Sequence, residues 1–132
     1  MNNELSVRFC VWEFNGKTHD EISEVLGIKP TLAFTKGLPI EPKRVSIAKF
    51  DAWFYEADTN QKLPFEQQIN ILLDIIEGNM DGFKSICSQH KCEISLFMLL
   101  FPDESTPWIH LTKRYHQVMG QLDITLDMDI NP

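Results

Sequence analysis

The stretch from Cys92 to Phe101, reading Cys-Glu-Ile-Ser-Leu-Phe-Met-Leu-Leu-Phe, limits the possible folds more than any other part of the chain. Read with the two-residue period of a strand, Ile94, Leu96, Met98 and Leu100 line one face, and Ser95, Phe97, Leu99 and Phe101 line the other. A strand that is apolar on both faces belongs inside a sheet, covered above and below. Its longest apolar run, Leu96 to Phe101, is far too short to span a bilayer. The remaining segments therefore have to supply neighbouring strands and helices to cover it.

They do so in a regular order. Leu5, Val7, Phe9 and Val11 alternate with Ser6, Arg8 and Cys10 as a first strand, and Trp12 and Phe14 continue on its second face. Thr18 and Glu21 form a capping box that starts a helix carrying Ile22, Val25 and Leu26, and Gly27 stops it. Residues 28–50 are irregular, broken by Pro30, Gly37, Pro39 and Pro42. A second strand over 51–57 puts Phe50, Ala52 and Phe54 on one face and Trp53 and Tyr55 on the other. Pro64 opens a helix bearing Phe65, Ile69, Leu72, Leu73 and Ile76, Gly78 breaks it, and a further helix runs to about His90. After the 92–101 strand, Thr112 caps a helix that ends at Gly120. The last strand alternates Leu122, Ile124, Leu126, Met128 and Ile130 with Asp123, Thr125, Asp127 and Asp129.

The order β-α-β-α-α-β-α-β predicts an α+β fold: a four-stranded, mainly antiparallel sheet with helices mostly on one face, in a ferredoxin-like arrangement. At 132 residues with no dividing linker, residues 1–132 form one expected domain. Cys10, Cys87 and Cys92 are too few, and odd in number, for a disulfide framework. The first residues lack a basic and apolar leader, so a cytoplasmic location is expected. A net charge of -7 disfavours nucleic acid, whose phosphates require cationic contacts, and the lack of a long apolar run disfavours a membrane.

Leu26-Gly27-Ile28-Lys29-Pro30-Thr31, followed by Phe34 and Lys36-Gly37, the tryptophan strand at Trp53 and the leucine-rich helix from Ile69 to Ile76, resembles the family called domain of unknown function 4279. His110-Leu111-Thr112, Gly120 and the strand from Leu122 to Ile130 extend the resemblance over nearly the whole chain. Where that family usually ends in tyrosine, this chain has Asn131-Pro132. The resemblance implies a bacterial protein with no established activity, and a role as an immunity-type protein beside secreted toxins.

The residues themselves single out two candidate surfaces. One is a small-anion site in the locally basic 30–50 segment, built from Thr31, Phe34, Lys36, Gly37, Arg44 and Trp53. It would make the chain a sensor of a small anionic ligand, or an enzyme. The other is an interaction surface that includes Trp12, Phe97, Asp123, Asp127 and Asp129, suited to a basic protein or a second copy of the chain. It draws on a surplus of sheet apolar residues, Trp12, Phe14, Trp53, Tyr55, Phe97, Leu99 and Phe101, expected opposite the helices and covered by the 30–50 loop or by a partner. Cys87, His90 and Cys92 are close in sequence but fall short of a four-ligand soft-metal set, and the cysteines sit on core stripes, so neither a metal nor a cofactor is expected. His19, His90, His110 and His116 stand beside no nucleophile at a recognisable spacing, with His19 expected in solvent. A non-catalytic binding module is therefore the leading expectation.

Overall fold

The computed structural model describes residues 3–14, 16–40 and 47–131. Nine elements follow one another: β1 (Glu4–Trp12), α1 (His19–Leu26), β2 (Leu32–Phe34), β3 (Ala52–Glu56), α2 (Phe65–Gly78), α3 (Met80–Gln89), β4 (Lys91–Leu99), α4 (Lys113–Met119) and β5 (Thr125–Asn131). The strands form one sheet in the order β2-β3-β1-β4-β5. All pairs are antiparallel except β4 with β5, which run parallel.

This five-stranded mixed sheet replaces the four-stranded, mainly antiparallel, ferredoxin-like arrangement, although the fold remains α+β. Two causes account for the difference. β2 is only three residues long and sits between Pro30 and the Lys36-Gly37 turn, where no alternation is long enough to stand out. The link from Leu100 to Ile124 carries α4, and a helix-bearing crossover of that length can return the chain parallel to the strand it left.

Helix ends follow local chemistry. Thr18 and Glu21 close the capping box of α1, and Gly27 ends it in the left-handed region at φ 76°. Asn79 separates α2 from α3. Its Oδ1 accepts from the Gly82 N–H, while its Nδ2 donates to the Val25 and Leu26 carbonyls at the end of α1. Any Cβ at Gly82 would run into the Val25 carbonyl, so this glycine allows α1 and α3 to meet. Arg114 on α4 reaches Asp74 and Glu77 on α2, an exposed contact that adds little stability.

All four helices contribute to one core with one face of the sheet. Val7, Phe9, Val11, Trp53, Ile94 and Leu96 from the strands are buried with Ile22, Leu72, Phe83, Ile86 and Val118 from the helices. β4 lies between β1 and β5, but it is covered on one face only. Cys92, Ile94, Leu96 and Met98 are buried, whereas Glu93, Ser95, Phe97 and Leu99 are half-buried on the side without helices.

The central strand β1 has a neighbour along its full length on the β4 side, from Glu4 to Trp12. On the other side β3 reaches only from Arg8 to Trp12. Below that point Gln68, a fully buried residue of α2, stands in for a strand. Its Oε1 accepts from the Val7 N–H at 2.9 Å, and its Nε2 donates to the Leu5 carbonyl at 2.7 Å and the Leu63 carbonyl at 2.8 Å. Asp58 shapes the loop that delivers Leu63 by accepting from the N–H groups of Asn60, Lys62 and Leu63. Those backbone donors, that of Leu63 first, hold the Asp58 carboxyl below its ordinary 3.8.

Gln68→Leu should lower stability by roughly 2–4 kcal/mol in urea unfolding, because it leaves buried backbone groups of β1 unpaired. A loss under about 1 kcal/mol would mean that water or another side chain replaces the amide. For Asp58 the depressed carboxyl stabilises the fold above the ordinary carboxyl pKa, and that contribution disappears as pH falls through its lower folded value. Asp58→Asn should therefore be less stable than the parent at neutral pH, with the gap closing in acid. Urea midpoints measured across pH check this.

Candidate functional site

The face of the sheet that carries no helix has two halves. Cys10, Ala52 and Phe54 are buried there, with Trp12, Leu32 and Phe34 partly buried against them. The rings meet edge to face: Trp12 lies 4.9 Å from Phe54, and Phe34 lies 5.4 Å from it. The Arg8 guanidinium sits 5.8 Å above the Phe54 ring. Moving across the sheet, the composition becomes acidic. Cys10 pairs with Glu93 and Arg8 with Ser95, and the next strand places Asp127 beside Ser95 and Asp129 beside Phe97. Strand alternation puts Trp12, Glu93, Phe97, Asp127 and Asp129 on this same face.

Where the halves meet there is an open cleft of about 450 Å³, lined by Trp12, Glu13, Phe50, Lys91, Glu93 and Asp127. The lining thus includes three acidic residues and one lysine. The Trp12 indole donates to Glu93 Oε1 at 2.9 Å, which fixes one wall. Phe50 forms part of the lining while remaining 47% exposed. Near it in sequence, exposed Leu38 and Ile47 flank a small ladder in which Gly37 and Leu38 exchange hydrogen bonds with Ala48.

Of the expected interaction residues, Trp12, Phe97, Asp127 and Asp129 share this face. Asp123 is exposed in the turn before β5. Several aromatics expected here lie elsewhere. Trp53 pairs with Val11 and Tyr55 with Phe9, so both point to the helix side, where Trp53 is 0% exposed. Phe14 is also in the helix-side core, because Glu13 adopts a left-handed φ of 53° and breaks the alternation after Trp12. Phe101 lies beyond the end of β4. The missed residues are Glu13, Phe50, Phe54 and Glu93. The Glu93-Ser95-Phe97 stripe of β4 and the Phe50-Ala52-Phe54 stripe carried a signal for Glu93, Phe50 and Phe54, but one strand's alternation does not say which stripe faces the helices; Glu13 had none.

The residues of the expected small-anion site do not converge. Phe34 is opposite Ala52 on the open face, whereas Trp53 is on the helix side, with its indole donating to Ser23 Oγ at 3.0 Å. Thr31 ties the start of β2 to β3: its N–H donates to the Phe54 carbonyl, and its Oγ1 accepts from the Glu56 N–H. Gly37 holds the turn at φ 85°, and the Lys36 N–H is occupied by the Asp51 carboxylate at 2.9 Å. The turn thus already has an anion, from its own chain. Arg44 and Lys43 lie outside the described residues.

His19 is half-buried rather than solvated. Its Nε2 carries the proton, because both partners are carbonyls, those of Phe34 at 2.9 Å and Ala52 at 3.0 Å. It pins α1 to β2 and β3. Among the described residues no group of three or more His, Cys, Asp and Glu side chains is placed to hold a metal ion. All three cysteines are buried and unpaired. A hydrogen bond with the Cys87 side chain and burial push the Cys92 thiol up, and burial with nearby Glu93 does the same for Cys10.

From residue 3 to residue 132 the chain matches the family described as a domain of unknown function, DUF4279. The chain belongs to the DUF4279 family. No curated protein and no solved structure matches it. No helix among the described residues of this DUF4279 domain is long and apolar enough to cross a membrane.

With its three thiols buried, the native DUF4279 domain should resist a thiol-reactive disulfide reagent at about pH 8, and all three should react after unfolding. Rapid labelling of a native cysteine would show that its pocket opens.

His90 gives a second expectation. Burial, and then Lys17, lower its pKa from the ordinary 6.5, and its Nε2 is buried without a hydrogen-bond partner. The neutral imidazole is favoured in the folded state, so stability contributed above 6.5 is lost as pH falls through the lower folded value. His90→Asn should flatten the slope of stability against pH in that window, as read from urea midpoints.

Proposed function

We propose that this DUF4279 domain is a non-catalytic protein-interaction module, and that its helix-free sheet face binds a cationic protein. The observation that carries this reading is the meeting of an aromatic patch with an acidic one at the Trp12–Glu93 cleft. Apolar patches rimmed by polar groups are typical of binding surfaces. Indole and phenyl walls beside carboxylates suit a lysine or arginine side chain, which offers an apolar stem and a cationic head. The overall charge of -7 adds long-range attraction for a basic partner. An immunity-type protein that clamps a basic toxin would be one form of such a module.

Support for a catalytic reading is weaker in the described residues. His19 is engaged by two backbone carbonyls, exposed His110 stacks on exposed Trp108, burial pushes the Cys10 thiol up, and a hydrogen bond with the Cys87 side chain together with burial does so for Cys92.

The test starts with a binding partner captured from the source cell and then purified. Its affinity for the parent is compared with that for a Trp12→Ala/Glu93→Lys double variant, by calorimetry at low and moderate salt. The expected result is a basic partner, a loss of at least about tenfold in the variant, and weaker binding as salt rises. A partner that binds the variant as tightly as the parent would remove the open face from the interaction.

A further inference from the structure

The outermost strand presents a feature that the open face does not. β5 pairs with β4 on one side and with no described strand on the other. The direction of its backbone groups is set by one hydrogen bond, in which the Leu100 N–H donates to the Asn131 carbonyl at 2.8 Å. The N–H and C=O of one strand residue point the same way, and the direction alternates along the strand. Asp127, Asp129 and Asn131 therefore direct their main-chain groups toward β4. Leu126, Met128 and Ile130 direct theirs outward, as a row of donors and acceptors ready to pair.

The side chains along this edge are divided by face. Met128 and Ile130, on the helix side, are 52% and 51% exposed, because the helices do not extend over them. Asp127 and Asp129, on the open face, are exposed and form no ion pair among the described residues. Such an edge accepts strands selectively. A second copy of β5, paired antiparallel about a two-fold axis, fits badly. The centred register sets Asp127 against Asp129 twice, and sliding by two residues sets an aspartate against its own copy. Like charges directly opposite each other destabilise a strand pair, and opposite charges stabilise it.

We infer that the β5 edge takes up an extended segment of a partner protein as a sixth strand, and that this segment alternates lysine or arginine with aliphatic residues. Cross-strand neighbours share a face. Its cations then lie opposite Asp127 and Asp129, its aliphatic side chains cover Met128 and Ile130, and its backbone pairs with Leu126, Met128 and Ile130. Main-chain bonds supply a sequence-independent part of the affinity, and the two alternating faces supply the selectivity. The assignment rests on the proposed binding of a cationic protein and adds where, and in what conformation, that protein is held.

The probe is a blocked seven-residue peptide alternating lysine with valine, matched to the length of β5. Amide exchange of the full chain is followed by NMR at low ionic strength. Protection of the Leu126, Met128 and Ile130 amides is expected, and little from a peptide with its lysines grouped or from one alternating glutamate with valine. Met128→Pro removes an outward N–H without touching the β4 ladder, and Asp127→Lys/Asp129→Lys reverses the charge. Each should weaken binding by at least about tenfold. A peptide N-methylated on its pairing side should also fail, which tests the backbone contact without altering the protein. No protection at about 1 mM peptide, or equal protection by the grouped peptide, overturns the inference. So does tight binding of the N-methylated peptide. If charge reversal abolishes binding while Met128→Pro and N-methylation do not, strand addition is wrong and the open-face reading survives. If strand addition holds while Trp12→Ala/Glu93→Lys has no effect on the native partner, the open-face reading fails instead.

Discussion

The central strand of this sheet is longer on one side than its neighbour, and a side-chain amide makes up the difference. β1 runs from Glu4 to Trp12, while β3 leaves the residues before Arg8 without a strand partner. Buried backbone N–H and C=O groups have to be paired, and water does not reach them here. Gln68 presents the same donor and acceptor as a peptide group and completes the ladder from the side of α2. The same residue holds Leu63, and so the loop organised by Asp58. One contact thereby fixes a helix, a loop and the middle of the sheet, and the flat face opposite inherits its position from that frame.

That frame places all the helices on one side. The other side carries no helix, and its side chains stand in a lattice set by the pairing register, with Cys10, Ala52 and Phe54 buried among their neighbours. Trp12 packs edge to face with Phe54 and has its indole N–H on Glu93, which leaves it few alternative rotamers. A surface prepared in this way loses little freedom when something docks on it. The turn at Glu13 contributes as well. By taking a left-handed conformation it sends Phe14 to the core and leaves its own carboxylate at the cleft.

Much of the fold was legible in the chain, and the gaps have physical causes. The capping box of Thr18 and Glu21, the Gly27 stop and the Thr112 cap are local chemistry, and each appears where residue type alone puts it. The division of α2 from α3 is equally local, though Asn79 rather than Gly78 does most of the work through its side chain. Register is not local. Trp53 and Tyr55 alternate with Ala52 and Phe54 whichever stripe faces the helices, and only the pairing of Val11 with Trp53 decides between them. The parallel placement of β5 depends on a crossover, and β2 is too short to show a period. Gln68 did leave a signal, as a polar residue on the buried stripe between Phe65 and Ile69, but its partners could not be read without the loop geometry. Of the candidate site, the half on β1, β4 and β5 was visible as residues, and the small-anion set was divided by the sheet itself.

The parallel pairing of β4 with β5 has a consequence for how the molecule is made. The antiparallel strands β1, β3 and β4 precede β5 in the chain, so during synthesis β4 is for a time the rim of the nascent sheet. Its outward row stays unpaired until α4 and β5, which follow it in the chain, have been made and β5 has docked. Until then β4 presents an open edge that any extended chain of suitable pattern could occupy.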